Sequence, residues 1–279
     1  DRLNRICPTD FVQAPALAEM LYTWGIEQVI VFQRADAWGD GIYNLFIEEW
    51  EDRGFGQLER VRYAAESTEY ANYLSTMNDV IAANAAEYGY ERIGVLTESF
   101  DESVVYVTQT ADYPETRKVM WFGCESTGRT QRMLDDAGGL QVELGLFSSF
   151  MAPGKSWKWT SLEDRYYDIA QTNAGFYTGC DYDGTWVTAL TMQNVASAKA
   201  APVTEAFQDT ARNFYGATGW IDLDENGDRK PTVFDIWGYY QRGDELGFQK
   251  FGEYDGIAIE VAWYDDLLTE QGHVRPGPR

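Results

Sequence analysis

Between residues 11 and 148 the apolar side chains follow two rhythms that take turns along the chain. Over residues 11–24 they recur at helical spacing and predict an amphipathic helix, whereas the continuous run QVIVF at 28–32 predicts a buried strand. A second helix is expected from about 40 to 52. Further strands are expected at 58–63, 92–97 (RIGVLT), 118–122 (KVMWF) and 142–147, with helices near 70–88, 102–111 and 130–137. Short apolar strands separated by helices predict a doubly wound α/β fold, a parallel sheet of order 2-1-3-4-5 covered on both faces.

Beyond residue 150 the pattern turns helical. Thr160 and Glu163 have capping-box spacing for a helix to about 174, and further helices are expected at 182–197 and 203–215. With no strand between them, this stretch is expected to complete a sheet supplied elsewhere and to expose apolar surface. Segments 232–240, 247–253 and 257–263 alternate like antiparallel strands around glycine turns. The tail GHVRPGPR is expected to be disordered.

Composition narrows the function classes. The 279 residues suffice for one large or two modest domains. No apolar run is long enough for a membrane span, and Asp1 does not open a signal segment, so the leader and anchor of an exported protein would lie outside this sequence. A formal charge of −23 repels nucleic acid and anionic lipid. Cys7, Cys124 and Cys180 stand far apart without CxxC spacing, which argues against zinc and allows at most one disulfide. The single histidine, His273, removes His-dependent triads and multi-His metal sites. No cofactor motif of the GxGxxG or P-loop type occurs.

Ligands of open parallel sheets bind beyond the carboxyl ends of the strands. Three loops there, 33–41, 98–101 and 123–128, carry Trp38, the trio Glu98, Ser99 and Phe100, and Glu125. An aromatic wall with a carboxylate suits a ligand with an apolar body and an ammonium group. By position alone, the aromatics serve equally well as packing residues and Glu125 as a solvated acid.

The stretch CPTDFVQAPALAEMLYTWGIEQVIVFQRADAWGDG (7–41), followed in order by GVLTESFDES (94–103), WFGCESTG (121–128) and TGWIDLDENGDRKPTVFDIWGYYQ (218–241), resembles the branched-chain amino-acid receptors among type I periplasmic-type solute-binding proteins. The resemblance implies two Rossmann-like lobes joined by three hinge crossovers, near Pro8, Ser149 and Lys230. Residues 1–8 would be a hinge remnant, 9–148 the second lobe, 149–231 part of an incomplete first lobe, and 232–279 the return to the second lobe and tail. It further implies that Trp38 and Phe100 stand at pocket aromatics, and that Glu125 stands at the carboxylate binding the ligand's α-ammonium. Neither aromatic keeps a tyrosine hydroxyl, so the ligand need not be leucine, isoleucine or valine.

The implied role is non-catalytic: an extracytoplasmic, membrane-anchored receptor that closes on a small molecule in an interlobe cleft and presents it to the permease of an ABC importer. A sensor of the same fold is the alternative, and a hydrolase using pairs such as Glu98 with Glu125 is the weaker one. DLDENGD (222–228) imitates the start of a calcium loop, but position 12 is Val233 and Pro231 interrupts the following helix, so no metal is expected there.

Overall fold

The computed structural model describes residues 3–230 and 232–279; Pro231 lies outside them. Helix and strand alternate through α1 (Asp10–Trp24), β1 (Gln28–Arg34), α2 (Ala37–Glu51), β2 (Gln57–Tyr63), α3 (Ala71–Tyr88), β3 (Ile93–Glu98), α4 (Ser103–Gln109), β4 (Met120–Gly123), α5 (Gln131–Asp136), α6 (Leu140–Glu143) and β5 (Phe147–Met151). Next come α7 (Trp157–Ala170), α8 (Phe176–Asn194), α9 (Ala200–Arg212) and the two-residue strands β6 (Tyr215–Gly216) and β7 (Gly219–Trp220). The chain ends with β8 (Val233–Arg242), β9 (Glu245–Asp255), β10 (Glu260–Trp263) and α10 (Asp265–Glu270). It divides into two compact units, Asp1–Val12 with Met151–Thr232, and Gln13–Phe150 with Val233–Arg279.

In the larger unit, β1 to β5 run parallel in the order 2-1-3-4-5, and β8, β9 and β10 extend the same sheet beyond β5. Strand β1 shows why QVIVF is apolar throughout. Val29 and Val31 pack with Leu17, Trp24 and Phe46 from α1 and α2, while Ile30 and Phe32 pack on the other face with Leu74, Met77 and Tyr106 from α3 and α4. A strand buried on both sides has no polar face to show. At the middle of the first face, Trp24 meets Phe122, Phe147 and Trp263 with ring centroids 5.8, 5.2 and 5.1 Å away.

The strand expected at 142–147 is corrected: residues 140–143 form α6, and β5 starts at Phe147. Leu140 and Leu144 lie four apart, so one helical turn sends both into the core formed with α4 and β8. The tail is also corrected. Arg275 donates to the Thr23 carbonyl at 2.8 Å and pairs with Asp265, Gly277 N–H donates to the Trp24 carbonyl at 3.0 Å, and Arg92 donates to the Gly277 carbonyl at 2.6 Å. Main-chain anchors of this kind leave no hydrophobic signal to read.

The smaller unit holds α7, α8, α9 and the β6–β7 pair around a core of Val187, Ala211, Ile221 and Leu223, with Ile6, Phe207 and Phe214 against it. Buried Asp183 ties the core to the β6–β7 turn, accepting from Ala217 N–H (2.7 Å), Thr218 N–H (2.8 Å) and Thr218 Oγ1 (2.6 Å). Trp157, Ile169, Trp186 and Met192 are exposed. The expected capping box is corrected, because α7 starts after Ser156 and ends at Ala170, placing Thr160 inside it. Helix α8 starts six residues before the expected 182. Gly179 belongs to it, and a Cβ there would lie 2.7 Å from the Trp159 ring, so this glycine marks a close approach rather than a loop. Among the described residues, no helix is long and apolar enough to cross a membrane.

Candidate functional site

The candidate groups of the larger unit lie where β1, β3 and β4 end. After β1 the chain turns into α2 through Asp36, whose side chain caps the helix by accepting from Gly39 N–H at 2.9 Å. Burial works against this carboxylate, but the N–H groups of Gly39 and Trp38 and the Arg34 guanidinium together hold it below its usual range. The cap fixes the first turn of α2 and with it Trp38.

Trp38 stacks on Phe100, which stands just after β3, with ring centroids 4.5 Å apart and an interplanar angle of 25°. The Arg34 guanidinium also lies against the Phe100 ring, 4.4 Å from its centroid, and is held by Asp36 (2.6 Å) and Glu102 (2.8 Å). Glu102 in turn accepts from the Tyr63 hydroxyl at 2.9 Å. The wall is therefore pinned on its polar side, while Phe100 remains 39% exposed.

Glu125 opens the short turn after β4. Its Oε2 accepts from Gln13 Nε2 at 2.5 Å, and the same amide nitrogen donates to Ser149 Oγ at 3.0 Å. Gly123 lets this loop fold back: a Cβ there would sit 2.1 Å from Thr127 Oγ1, which bonds to the Cys124 carbonyl (2.9 Å) and Ser148 Oγ (2.7 Å). The Ser126 hydroxyl donates to the Ser99 carbonyl, so the loop after β4 leans on the loop after β3. Burial, and next the charge of Glu125, pushes the Cys124 thiol up to about 12, so it stays protonated.

The structure thus brings Trp38 and Phe100 into contact and places Glu125 on an adjoining loop, partly exposed. Glu98 and Ser99 are fully buried. The Ser99 hydroxyl lies 2.6 Å from the Tyr106 hydroxyl and 3.3 Å from Thr97 Oγ1. Gln13 and Arg34 hold candidate residues, yet neither stands out in the sequence. Gln13 lies more than a hundred residues from its partner, while the Arg-x-Asp spacing of Arg34 and Asp36 was a readable signal. Among the described residues, no group of three or more His, Cys, Asp or Glu side chains could hold a metal ion. In the calcium-like loop, Asp224 accepts from its own turn, from Asn226 N–H (2.8 Å) and Asp228 N–H (2.9 Å).

The family model of the receptor family ligand binding region matches residues 1–241. The chain belongs to this family. Its fold is that of type I periplasmic binding proteins, as solved structures show. The leucine binding protein LivK from Thermotoga maritima superposes with a TM-score of 0.72 at 18% identity, over 94% of this chain and 68% of that one. A solute binding protein from R. palustris, solved with benzoate, gives 0.69 at 10% identity over 88% of this chain and 64% of that one. An uncharacterised protein of Methanocaldococcus jannaschii is 22% identical over 93% of this chain and 63% of its own length. The chain therefore spans less than two thirds of the length of that relative.

Proposed function

We propose that this chain is the ligand-binding part of an extracytoplasmic, membrane-anchored receptor that captures an amino acid or close analogue and hands it unchanged to the permease of an ABC importer. The observation that carries the reading is the meeting of three strand ends: the stacked Trp38–Phe100 pair offers an apolar face, and the Glu125 carboxylate, steadied by Gln13, stands on the next loop. The pair takes the apolar body of the ligand, and Glu125 takes its ammonium through a charge-assisted hydrogen bond. Neither aromatic carries a hydroxyl, so the pair selects by shape and polarisability. The names of the compared proteins lend support, one being a leucine binding protein and another a complex with benzoate.

Calorimetry on a full-length receptor with leucine, phenylalanine and benzoate tests the reading. Binding of the two amino acids, with both recovered unchanged, is the expected result. Binding of benzoate alone would remove the ammonium role of Glu125, and conversion of a bound ligand would overturn the non-catalytic assignment.

A further inference from the structure

In the smaller unit, two cysteines remote in sequence border the same cavity. Cys7 follows the extended segment that bridges Arg5 to Asp228, and Cys180 lies in the first turns of α8. Both are reduced here, and the Cys180 thiol points at the carbonyl of Ile6, the residue before Cys7, 3.8 Å away. The guanidinium of buried Arg229 sits beside them, donating to the Ile6 carbonyl at 3.1 Å and to Thr218 Oγ1 at 2.8 Å. Both cysteines line a cavity of about 810 Å³ whose other walls include Ile6, Asp181, Met192 and Phe207. Cys7 is partly exposed, whereas Cys180 is 2% exposed.

We propose that Cys7 and Cys180 are a redox-active pair that reacts with a small-molecule disulfide entering this cavity and closes to an intramolecular disulfide. The neighbouring Cys180 thiol, then the charge of Arg229, draws the Cys7 thiol below its usual range against the effect of burial, while Cys7 in turn, and burial, push Cys180 up. Cys7 is therefore the attacking thiolate and Cys180 the resolving thiol. Cys7 sulfur attacks one sulfur of the disulfide RSSR, forming a Cys7–S–S–R bond and expelling RS⁻, which takes up the proton Cys7 lost. Cys180, on losing its proton, attacks the Cys7 sulfur; the Cys7–S–S–R bond breaks and a second RSH leaves. Two protein thiols are oxidised and one RSSR is reduced to two RSH. With a chain charge of −23, a cationic disulfide such as cystamine approaches more readily than an anionic one.

The test incubates the reduced full chain with cystamine at neutral pH and maps disulfides by peptide mass spectrometry. The expected product is a Cys7–Cys180 linked peptide with Cys124 still free, a persistent cystamine adduct on Cys7 in Cys180→Ser, and no adduct on Cys180 in Cys7→Ser. In urea, the preference of cystamine for Cys7 should vanish. A wild-type chain that ends with a stable Cys7 adduct and no link, or one in which Cys124 reacts as fast as Cys7, would overturn the proposal.

Discussion

Trp38 and Phe100 lie nearly parallel at 4.5 Å between ring centroids, one in the first turn of a helix and the other just beyond a strand end. Such a pair contributes about 0.5–1.5 kcal/mol beyond the area it buries. Trp38→Ala and Phe100→Ala should each weaken the fold modestly, and the double variant should lose less than the sum, with a coupling of that size in urea denaturation. Additive losses would mean that the rings do not meet in solution. In a full-length receptor, either variant should also weaken ligand binding.

Glu125→Ala in a full-length receptor should weaken amino-acid binding by about 10- to 150-fold, the equivalent of roughly 1.5–3 kcal/mol for a hydrogen bond to a charged group. The loss should be smaller for an analogue without the ammonium, which never makes the contact. Gln13→Leu should give part of the same loss, since it leaves the carboxylate in place without its 2.5 Å amide donor. Calorimetry on both ligands separates the roles: equal losses would mean that Glu125 only shapes the pocket.

Physical reasons decide which features could be read from the chain. Strand β1 was legible because burial on both faces makes Val29 to Phe32 uniformly apolar, and Trp38, Phe100 and Glu125 were placed by their position after apolar strands. Helix α6 looks like a strand in the sequence because Leu140, Val142, Leu144 and Leu146 satisfy an alternation of two as well as Leu140 and Leu144 satisfy a turn. Gln13 was not legible as a partner of Glu125, since a side-chain hydrogen bond between distant residues leaves no local pattern. The tail escaped for a related reason: Gly277 and Arg275 donate to the backbone carbonyls of Trp24 and Thr23, and Arg275 also makes an ion pair, so they are not held by apolar burial.

Gly123→Ala should destabilise the larger unit by roughly 1–3 kcal/mol, the range for overpacking a filled site. A new Cβ 2.1 Å from Thr127 Oγ1 must push that hydroxyl off the Cys124 carbonyl and Ser148. In a Thr127→Ala background the same change should cost less, because the clashing atom is gone. An undiminished cost in the denaturation midpoint would show that backbone rather than Thr127 resists the substitution.

His273 supplies a pH dependence whose sign follows from its surroundings. The imidazole lies 5.6 Å from the Phe147 ring, and its Cε1 would be 3.1 Å from a Cβ on Gly145, which also borders Met120. Burial among these apolar groups holds its pKa below the usual 6.5, only partly offset by a hydrogen bond with the Val142 backbone. Above pH 6.5 the ring is neutral in both folded and unfolded chains, so its contribution to stability is complete. As the pH falls through 6.5 the unfolded chain takes up a proton that the folded chain refuses, so stability declines until the lower folded pKa is reached. Asp36, whose carboxyl is depressed instead, loses its contribution only when the pH falls below the usual carboxylate range. Because this is the chain's single histidine, its Cε1 proton gives one resolved NMR titration. The expected midpoint lies below 6.5, and His273→Gln should flatten the fall in melting temperature between pH 7 and 5. A midpoint at or above 6.5, or an unchanged slope in the variant, would show that the tail does not bury its imidazole in solution.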